Sequence, residues 1–228
     1  MNNEPLYKEG LHFCRFMKDP GSALTHLIAA IAALFCAFPL ISKSVLSNSP
    51  AAVVSMSVFI LSMILLYGAS TVYHTFNISE KVNLVLRRID HSMIFVLIAG
   101  SYTPVCLLVL PPSRGIPLLA FMWTAALAGI LLKILFINCP RWVSSLIYIS
   151  MGWTCIFVFK PLYATLPAAA FLWLLIGGII YTLGGIIYGL KLKVFEKLPR
   201  YFGKHEIFHL FVMGGSLCHF IFMYAYLL

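Results

Sequence analysis

Seven long apolar segments dominate this sequence, and short connections containing charges or proline separate them. A helix needs roughly 20 apolar residues to cross a bilayer. In this chain 61% of the residues are hydrophobic and 10% are charged, whereas soluble domains are roughly 25% charged. These values exclude a soluble globular domain and a disordered chain. The predicted fold class is all-α, a polytopic membrane protein with seven transmembrane helices.

The connections give the approximate limits of the seven predicted helices. These are Ala23–Ser42, Ala51–Phe76, Asp90–Leu110, Ile116–Ile137, Trp142–Phe159, Ala168–Leu190 and Lys204–Leu228. The predicted domain organisation is a cytoplasmic segment over residues 1–22 and a seven-helix domain over residues 23–228. The first twenty residues are charged and have no apolar core, so no cleavable signal peptide is expected.

The basic residues are distributed unequally between the two sides of the predicted bundle. The chain carries a net charge of +9, from 16 Lys and Arg against 7 Asp and Glu. With the N-terminus inside, thirteen of the 16 basic residues are on the inner side. The outer side then holds Lys43, Arg114 and Lys160. Cytoplasmic loops are enriched in Lys and Arg, so the N-terminus is predicted to be cytoplasmic and the C-terminus outside. The positive charge is therefore explained without nucleic acid, which is not an expected partner.

Cysteines and glycines are interpreted here as packing residues. The six cysteines are scattered and form no C-x-x-C pair, which argues against a disulfide framework or a zinc knuckle. Gly185 and Gly189 form a small-x-x-x-small pair in the sixth segment, a pattern that lets another helix approach closely.

Four ionisable residues fall at one depth in the predicted topology, and three of them are histidines. His205 and His209 are four residues apart, so their side chains share one face of a helix. His74 ends the second segment and Asp90 begins the third, both on the same side of the membrane. Three imidazoles with an open position are typical of a catalytic zinc site, and Asp90 would fit beside the bound water. The alternative is a set of interfacial histidines without a metal.

Two further residues belong to the same region. Ser70 lies one turn deeper than His74 on the same helix face. Glu206 completes an H-E-x-x-H pattern with His205 and His209, and in some proteases the glutamate of that pattern is the general base. The alternative for Glu206 is a structural role in the first turn of a helix, where a negative charge is stabilising.

Three segments of the sequence resemble the hemolysin III family, the bacterial branch of the progestin and adipoQ receptors. They are GASTVYH from Gly68, IDHSMIFVLIAGSYTP from Ile89 and HEIFHLFVMGGSLCHF from His205, with SALTHLIAA from Ser22 in addition. The resemblance implies a seven-helix protein of a bacterial plasma membrane, with Zn²⁺ near the cytoplasmic leaflet. By position it assigns His74, His205 and His209 as zinc ligands, Asp90 to the zinc-bound water, and Ser70 to the serine of an S-x-x-x-H motif.

The roles of two other histidines are not decided by the sequence. His26 lies at the right depth to support the metal site, but helix packing explains it equally well. His219 matches a recurrent histidine of the family, yet it lies ten residues past His209, near the middle of the membrane. A hydrogen bond to a neighbouring helix is the preferred interpretation of His219.

The first hypothesis is a zinc-dependent membrane hydrolase, and the resemblance alone implies a lipid amide or ester as its substrate. The superfamily that the chain resembles includes alkaline ceramidases, and membrane lipids are the expected partners. One alternative is a non-enzymatic regulator of membrane state or lipid homeostasis with structural zinc. Others are a pore-forming hemolysin, and an intramembrane protease suggested by H-E-x-x-H alone. Neither the lipid nor an oligomeric state is specified by these patterns.

Overall fold

A computed structural model describes residues 17–190 and 202–228 of the chain. Over these residues it contains seven helices long and apolar enough to cross a membrane, and no strand. They are α1 Pro20–Leu46, α2 Pro50–Thr75, α3 Glu80–Val109, α4 Pro112–Leu135, α5 Arg141–Thr165, α6 Ala168–Gly189 and α7 Lys204–Tyr226. The predicted fold class is confirmed.

Two helices extend more than five residues beyond their predicted limits. Helix α3 begins at Glu80 instead of Asp90, because the Ser79 side chain accepts a hydrogen bond from the Val82 N–H and caps the helix. Helix α5 continues past Phe159 to Thr165. Hydropathy detects only the part of a helix that lies in hydrocarbon, so charged ends of a continuous helix are missed.

Two helices change their winding partway along. The last five residues of α3, Val105–Val109, form a π-helical turn, and α5 is a 3₁₀-helix over Trp153–Val158. The Tyr102 hydroxyl donates to the Gly152 carbonyl at 2.5 Å and accepts from the Cys155 N–H at 2.8 Å. These bonds satisfy backbone groups of α5 where its winding changes. Inside a membrane, backbone groups must find such partners within the protein.

The helices pack in a closed arrangement that brings the last helix against the first. Helix α2 packs between α1 and α3, α4 packs on α3, α6 packs between α5 and α7, and α7 returns to α1. At one end of the bundle, the Asp19 N–H donates to the His74 carbonyl at 2.9 Å, which joins the start of α1 to the end of α2. At the other end, Lys43 donates to the Tyr224 carbonyl at 2.7 Å.

We call the first of these ends the basic end, because most of the described basic residues lie there. Its basic residues are Lys18, Lys81, Arg87, Arg88, Lys133, Arg141 and Lys204, and the opposite end holds Lys43, Arg114 and Lys160. The remaining inner-side residues of the prediction, Lys8, Arg15, Lys191, Lys193, Lys197 and Arg200, lie outside the described residues. The placement of the basic end in the cytoplasm stays a prediction, as does the division at residue 22.

Glycines in α6 let neighbouring helices approach, as the sequence predicted. A Cβ at Gly189 would lie 2.9 Å from the Ser145 hydroxyl, and a Cβ at Gly185 would lie 3.1 Å from Ile149. Both neighbours are on α5, so this pair of glycines forms the α5–α6 contact. The five described cysteines are free, and four of them lie within the helices α1, α3, α5 and α7.

Candidate metal centre

Three histidines converge at the basic end of the bundle. His74 lies in the last turn of α2, while His205 and His209 lie one turn apart at the start of α7. Each offers one ring nitrogen, and these three nitrogens all lie within 4.8 Å of one another. His74 and His209 are buried. The three residues predicted as metal ligands are therefore brought together by the fold.

The spacing of two of the ring nitrogens fits a tetrahedral metal ion. The Nε2 atoms of His74 and His205 are 3.2 Å apart. Two histidine nitrogens at zinc–nitrogen distances of about 2.0–2.1 Å and at the tetrahedral angle lie about 3.3 Å apart. Two neutral imidazoles can hydrogen-bond at this distance only if one nitrogen carries the proton. A shared cation satisfies both lone pairs, so the donor set fits Zn²⁺.

Asp19, which the sequence analysis did not single out, orients His74. Its Oδ2 lies 3.0 Å from the His74 Nδ1. This hydrogen bond from the His74 imidazole holds the pKa of the Asp19 carboxyl below its ordinary value. An N–H donated to a carboxylate fixes the tautomer and leaves the other ring nitrogen free for a metal. Asp19 immediately precedes α1, where no pattern marked it.

Thr25 orients His209 in the way that Asp19 orients His74. Its Oγ1 lies 3.1 Å from the His209 Nδ1 and 2.9 Å from the Ser22 carbonyl oxygen. Because the hydroxyl donates its hydrogen to its own helix, its oxygen accepts from the His209 ring. The Nε2 of His209 is then free for a metal.

Asp90 and Ser70 lie beside the three histidines. Both are buried, and the Ser70 hydroxyl is paired with the Asp90 carboxylate. Both line the same cavity as His205 and His209. The two residues proposed for chemistry therefore line the same cavity as two of the three candidate ligands.

His26 belongs to the same cluster. Its ring stacks on that of His209, with centroids 3.5 Å apart and planes 8° apart. Both of its nitrogens are buried without a hydrogen-bond partner among the described residues. His26 also lines the cavity, so the two unpaired nitrogens are available to a polar group that enters.

Glu206 and His219 make structural contacts. One Glu206 oxygen accepts from the Ser22 hydroxyl and the other accepts from the Gly203 N–H at 2.8 Å. The first contact joins α7 to α1, and the second caps the N-terminus of α7. The Nε2 of His219 lies 3.3 Å from the Leu174 carbonyl on α6, which confirms the preferred interpretation of this histidine.

A cavity of about 150 Å³ leads away from the histidines into the bundle. It lies mainly between α3, α5, α6 and α7, with His26 of α1 and Ser70 of α2 at its edge, and most of its walls are aliphatic or aromatic. At the basic end it reaches Asp90 and His205, and toward the opposite end it reaches Phe159, Leu162 and Phe171. The candidate metal centre is therefore the polar end of a long apolar space.

The fold and the site define a seven-helix integral membrane protein with a three-histidine candidate metal centre at one end. The sequence model of the haemolysin-III-related family matches residues 14–220. The chain belongs to this family.

Two bacterial proteins are similar in sequence to nearly the whole chain. It is similar to Hemolysin-3 of Bacillus cereus, 40% identical over 215 residues that cover 94% of each protein. It is also similar to the Hemolysin-3 homolog of Bacillus subtilis, strain 168, 39% identical over 203 residues that cover 89% of this chain and 91% of that protein. An adiponectin receptor protein of Drosophila melanogaster is 22% identical over 222 residues, which span 90% of this chain and half of the receptor.

Proposed function

We propose that this protein is a zinc-dependent hydrolase of the membrane that cleaves an amide or ester bond of a lipid. The observation that carries this proposal is the convergence of three histidine nitrogens, within 4.8 Å, at the polar end of a long apolar cavity. His74, His205 and His209 would hold the ion. A zinc ion in this position supplies Lewis acidity, which activates water and polarises a carbonyl.

The residues around the histidines have separate roles in this mechanism. Asp90 accepts the proton of the attacking water, since its buried carboxylate lines the cavity beside the ligands. Ser70 holds the Asp90 carboxylate through their hydrogen bond. His26 has two unpaired buried nitrogens and donates to the polar group that enters the cavity. Asp19 and Thr25 keep His74 and His209 in the tautomers that bind a metal.

The shape of the cavity supports a lipid as substrate. An acyl chain would lie along the apolar walls toward Phe159 and Phe171, while its carbonyl would lie at the histidines. A hydrolysable bond would then be held near the membrane surface. In keeping with the charge distribution, we place the basic end at the cytoplasmic face of a bacterial plasma membrane.

A structural role for the metal is the second candidate. The three ligands lie on α2 and α7, and three further contacts join this region to α1. A metal ion would therefore connect two helices, α2 and α7, without any chemistry, as expected of a regulator of membrane state. The two candidates differ in whether removing Asp90 abolishes a reaction or has no consequence.

The test combines metal analysis with turnover. Purified protein is analysed for metal by mass spectrometry, and fatty acid release is measured with N-acyl sphingoid bases and with phospholipid esters. We expect about one zinc per chain, lost in His205→Ala/His209→Ala and kept in the matched control His219→Ala. We expect Asp90→Asn to keep its zinc and to lose at least about 100-fold in turnover.

The outcomes separate the candidates. Wild-type protein that neither contains zinc nor takes it up would refute both. Zinc without product from any of these lipids, together with a large loss of thermal stability on chelation, would favour the structural role. Leakage of liposomes that is unchanged in Asp90→Asn and in the double histidine variant would favour a pore instead.

A further inference from the structure

A buried lysine lies at the basic end, in the last turn of α4. Lys133 is only 2% exposed. Its ammonium donates to the Ser144 hydroxyl at 2.5 Å and lies 3.2 Å from the sulfur of Cys139. Cys139 and Ser144 are themselves 3.3 Å apart, so the three groups form a triangle.

A nearby anion stabilises a buried ammonium group. Removing a charge from water without compensation costs several kcal/mol. Within residues 17–190 and 202–228, no carboxylate lies within 4.0 Å of Lys133. The Cys139 thiol is the group in this triangle that can become an anion near neutral pH, because a serine hydroxyl does not ionise there.

The surroundings of Cys139 favour its thiolate. Burial alone would raise the pKa of this thiol, but hydrogen bonds from Ser144 and Lys133 and the charges of Lys133 and Arg87 together lower it. Cys139 also lies two residues before the N-terminus of α5. A helix N-terminus and neighbouring cations are the settings in which thiolates are stabilised.

The connection between α4 and α5 leaves this sulfur accessible. Cys139 is half-buried, and its neighbours Asn138 and Pro140 are exposed. The other four described cysteines lie within the membrane-spanning helices α1, α3, α5 and α7. Cys139 is therefore the described cysteine best placed to meet a water-soluble reagent.

We propose that Cys139 is a reactive thiolate paired with Lys133, and that it is a modification site for small hydroperoxides. The thiolate sulfur attacks the terminal oxygen, so that an S–O bond forms and the O–O bond breaks. Sulfur is oxidised by two electrons to a sulfenic acid, and the peroxide is reduced. The leaving oxygen departs with its electron pair and takes a proton from water.

Oxidation would change the α4–α5 connection. The sulfenic acid is neutral, so the buried ammonium of Lys133 would lose its anion. Ser144 and its neighbour Ser145 lie in the first turn of α5, and Ser145 lines the cavity that leads to the candidate metal centre. A change at Cys139 would thus be transmitted to a wall of that cavity.

The test measures the alkylation rate of Cys139 in the full-length protein with iodoacetamide, from pH 5.5 to pH 9.5, by peptide mass spectrometry. Alkylation forms an S–C bond and expels iodide, and its rate follows the thiolate fraction. The same cysteine in the denatured chain is the reference for an ordinary thiol. Lys133→Met removes the cation, and Lys160→Met at the opposite end of the bundle is the matched control.

We expect the midpoint of the folded wild-type profile to lie below that of the denatured chain. At pH 7, Lys133→Met should slow alkylation by about tenfold, while Lys160→Met leaves it unchanged. Hydrogen peroxide should convert Cys139 to a dimedone-reactive form faster in wild type than in Lys133→Met. If Lys133→Met does not fold, the comparison of folded and denatured wild type is sufficient to test whether the thiolate of Cys139 is stabilised. Coincident profiles, or a Cys139 that reacts only after denaturation, would overturn the proposal.

Discussion

The Nε2 atoms of His74 and His205 lie 3.2 Å apart, although 131 residues separate them in the chain. The two rings meet because α7 returns to α1 and α2 at the basic end. Two of the three candidate ligands are supported by groups at the start of α1, His74 by Asp19 and His209 by Thr25.

Replacing Asp19 should weaken metal binding without removing a ligand. Asp19→Ala deletes the acceptor 3.0 Å from the His74 Nδ1, and loss of such a partner typically lowers metal affinity 10–100-fold. Zinc affinity is measured by competition with a chelator. Glu80→Ala removes an exposed carboxylate from the same end and is the control. Equal affinities for Asp19→Ala and wild type would contradict this role.

Thr25→Val should have a similar effect at His209. Valine keeps the shape of threonine but cannot accept the hydrogen bond from the His209 Nδ1, so the ring loses its preferred tautomer. We expect zinc affinity to fall by about tenfold. Thr71→Val is the matched control, because the Thr71 hydroxyl donates within its own helix, to the Tyr67 carbonyl. The two variants should differ in chelator competition, and equal losses would argue against a specific role for Thr25.

Two adjacent glycines of α6 should respond in opposite directions to alanine. A Cβ at Gly177 would lie 2.7 Å from the Nε2 of His219, whereas a Cβ at Gly178 meets no atom within 4 Å. Gly177→Ala is expected to destabilise the protein by about 1–3 kcal/mol through overpacking. Gly178→Ala should stabilise it by up to about 1 kcal/mol through helix propensity. Thermal unfolding in detergent measures both, and a stable Gly177→Ala would contradict the α6–α7 contact.

The membrane orientation can be tested with reporters. A phosphatase that is active only outside the cytoplasm should be active when fused after Leu228 and inactive when fused after Lys81. A fluorescent protein that folds only in the cytoplasm should give the reverse pattern. The expectation follows from the excess of Lys and Arg at the basic end. Cytoplasmic fluorescence from the C-terminal fusion would reverse the assignment.

Apolar runs and the charges and prolines between them were sufficient to find the seven helices, because the bilayer requires long apolar helices whatever their neighbours. They were insufficient for the true start of α3. Its first ten residues include Glu80, Arg87 and Arg88, which do not resemble a membrane span. The Ser79 cap holds this polar extension in the same helix.

Helical spacing and depth were enough to group His74, Asp90, His205 and His209. His205 and His209 are one turn apart, and alternation of spans placed the other two at the same end. Ser70 followed from its spacing to His74. The same approach did not decide between a role at the metal site and helix packing for His26, because depth alone does not specify the direction of a side chain. The structure shows its ring stacked on His209.

The sequence by itself determined the class of protein, the number of helices and the residues of the candidate metal centre, since these depend on composition and on periodicity along one chain. Only the tertiary structure decided which distant atoms meet. Asp19 reaches His74, Thr25 reaches His209, and Lys133 is buried against Cys139. These contacts depend on helix rotation and on the packing of neighbouring helices, and no local pattern in one sequence specifies either.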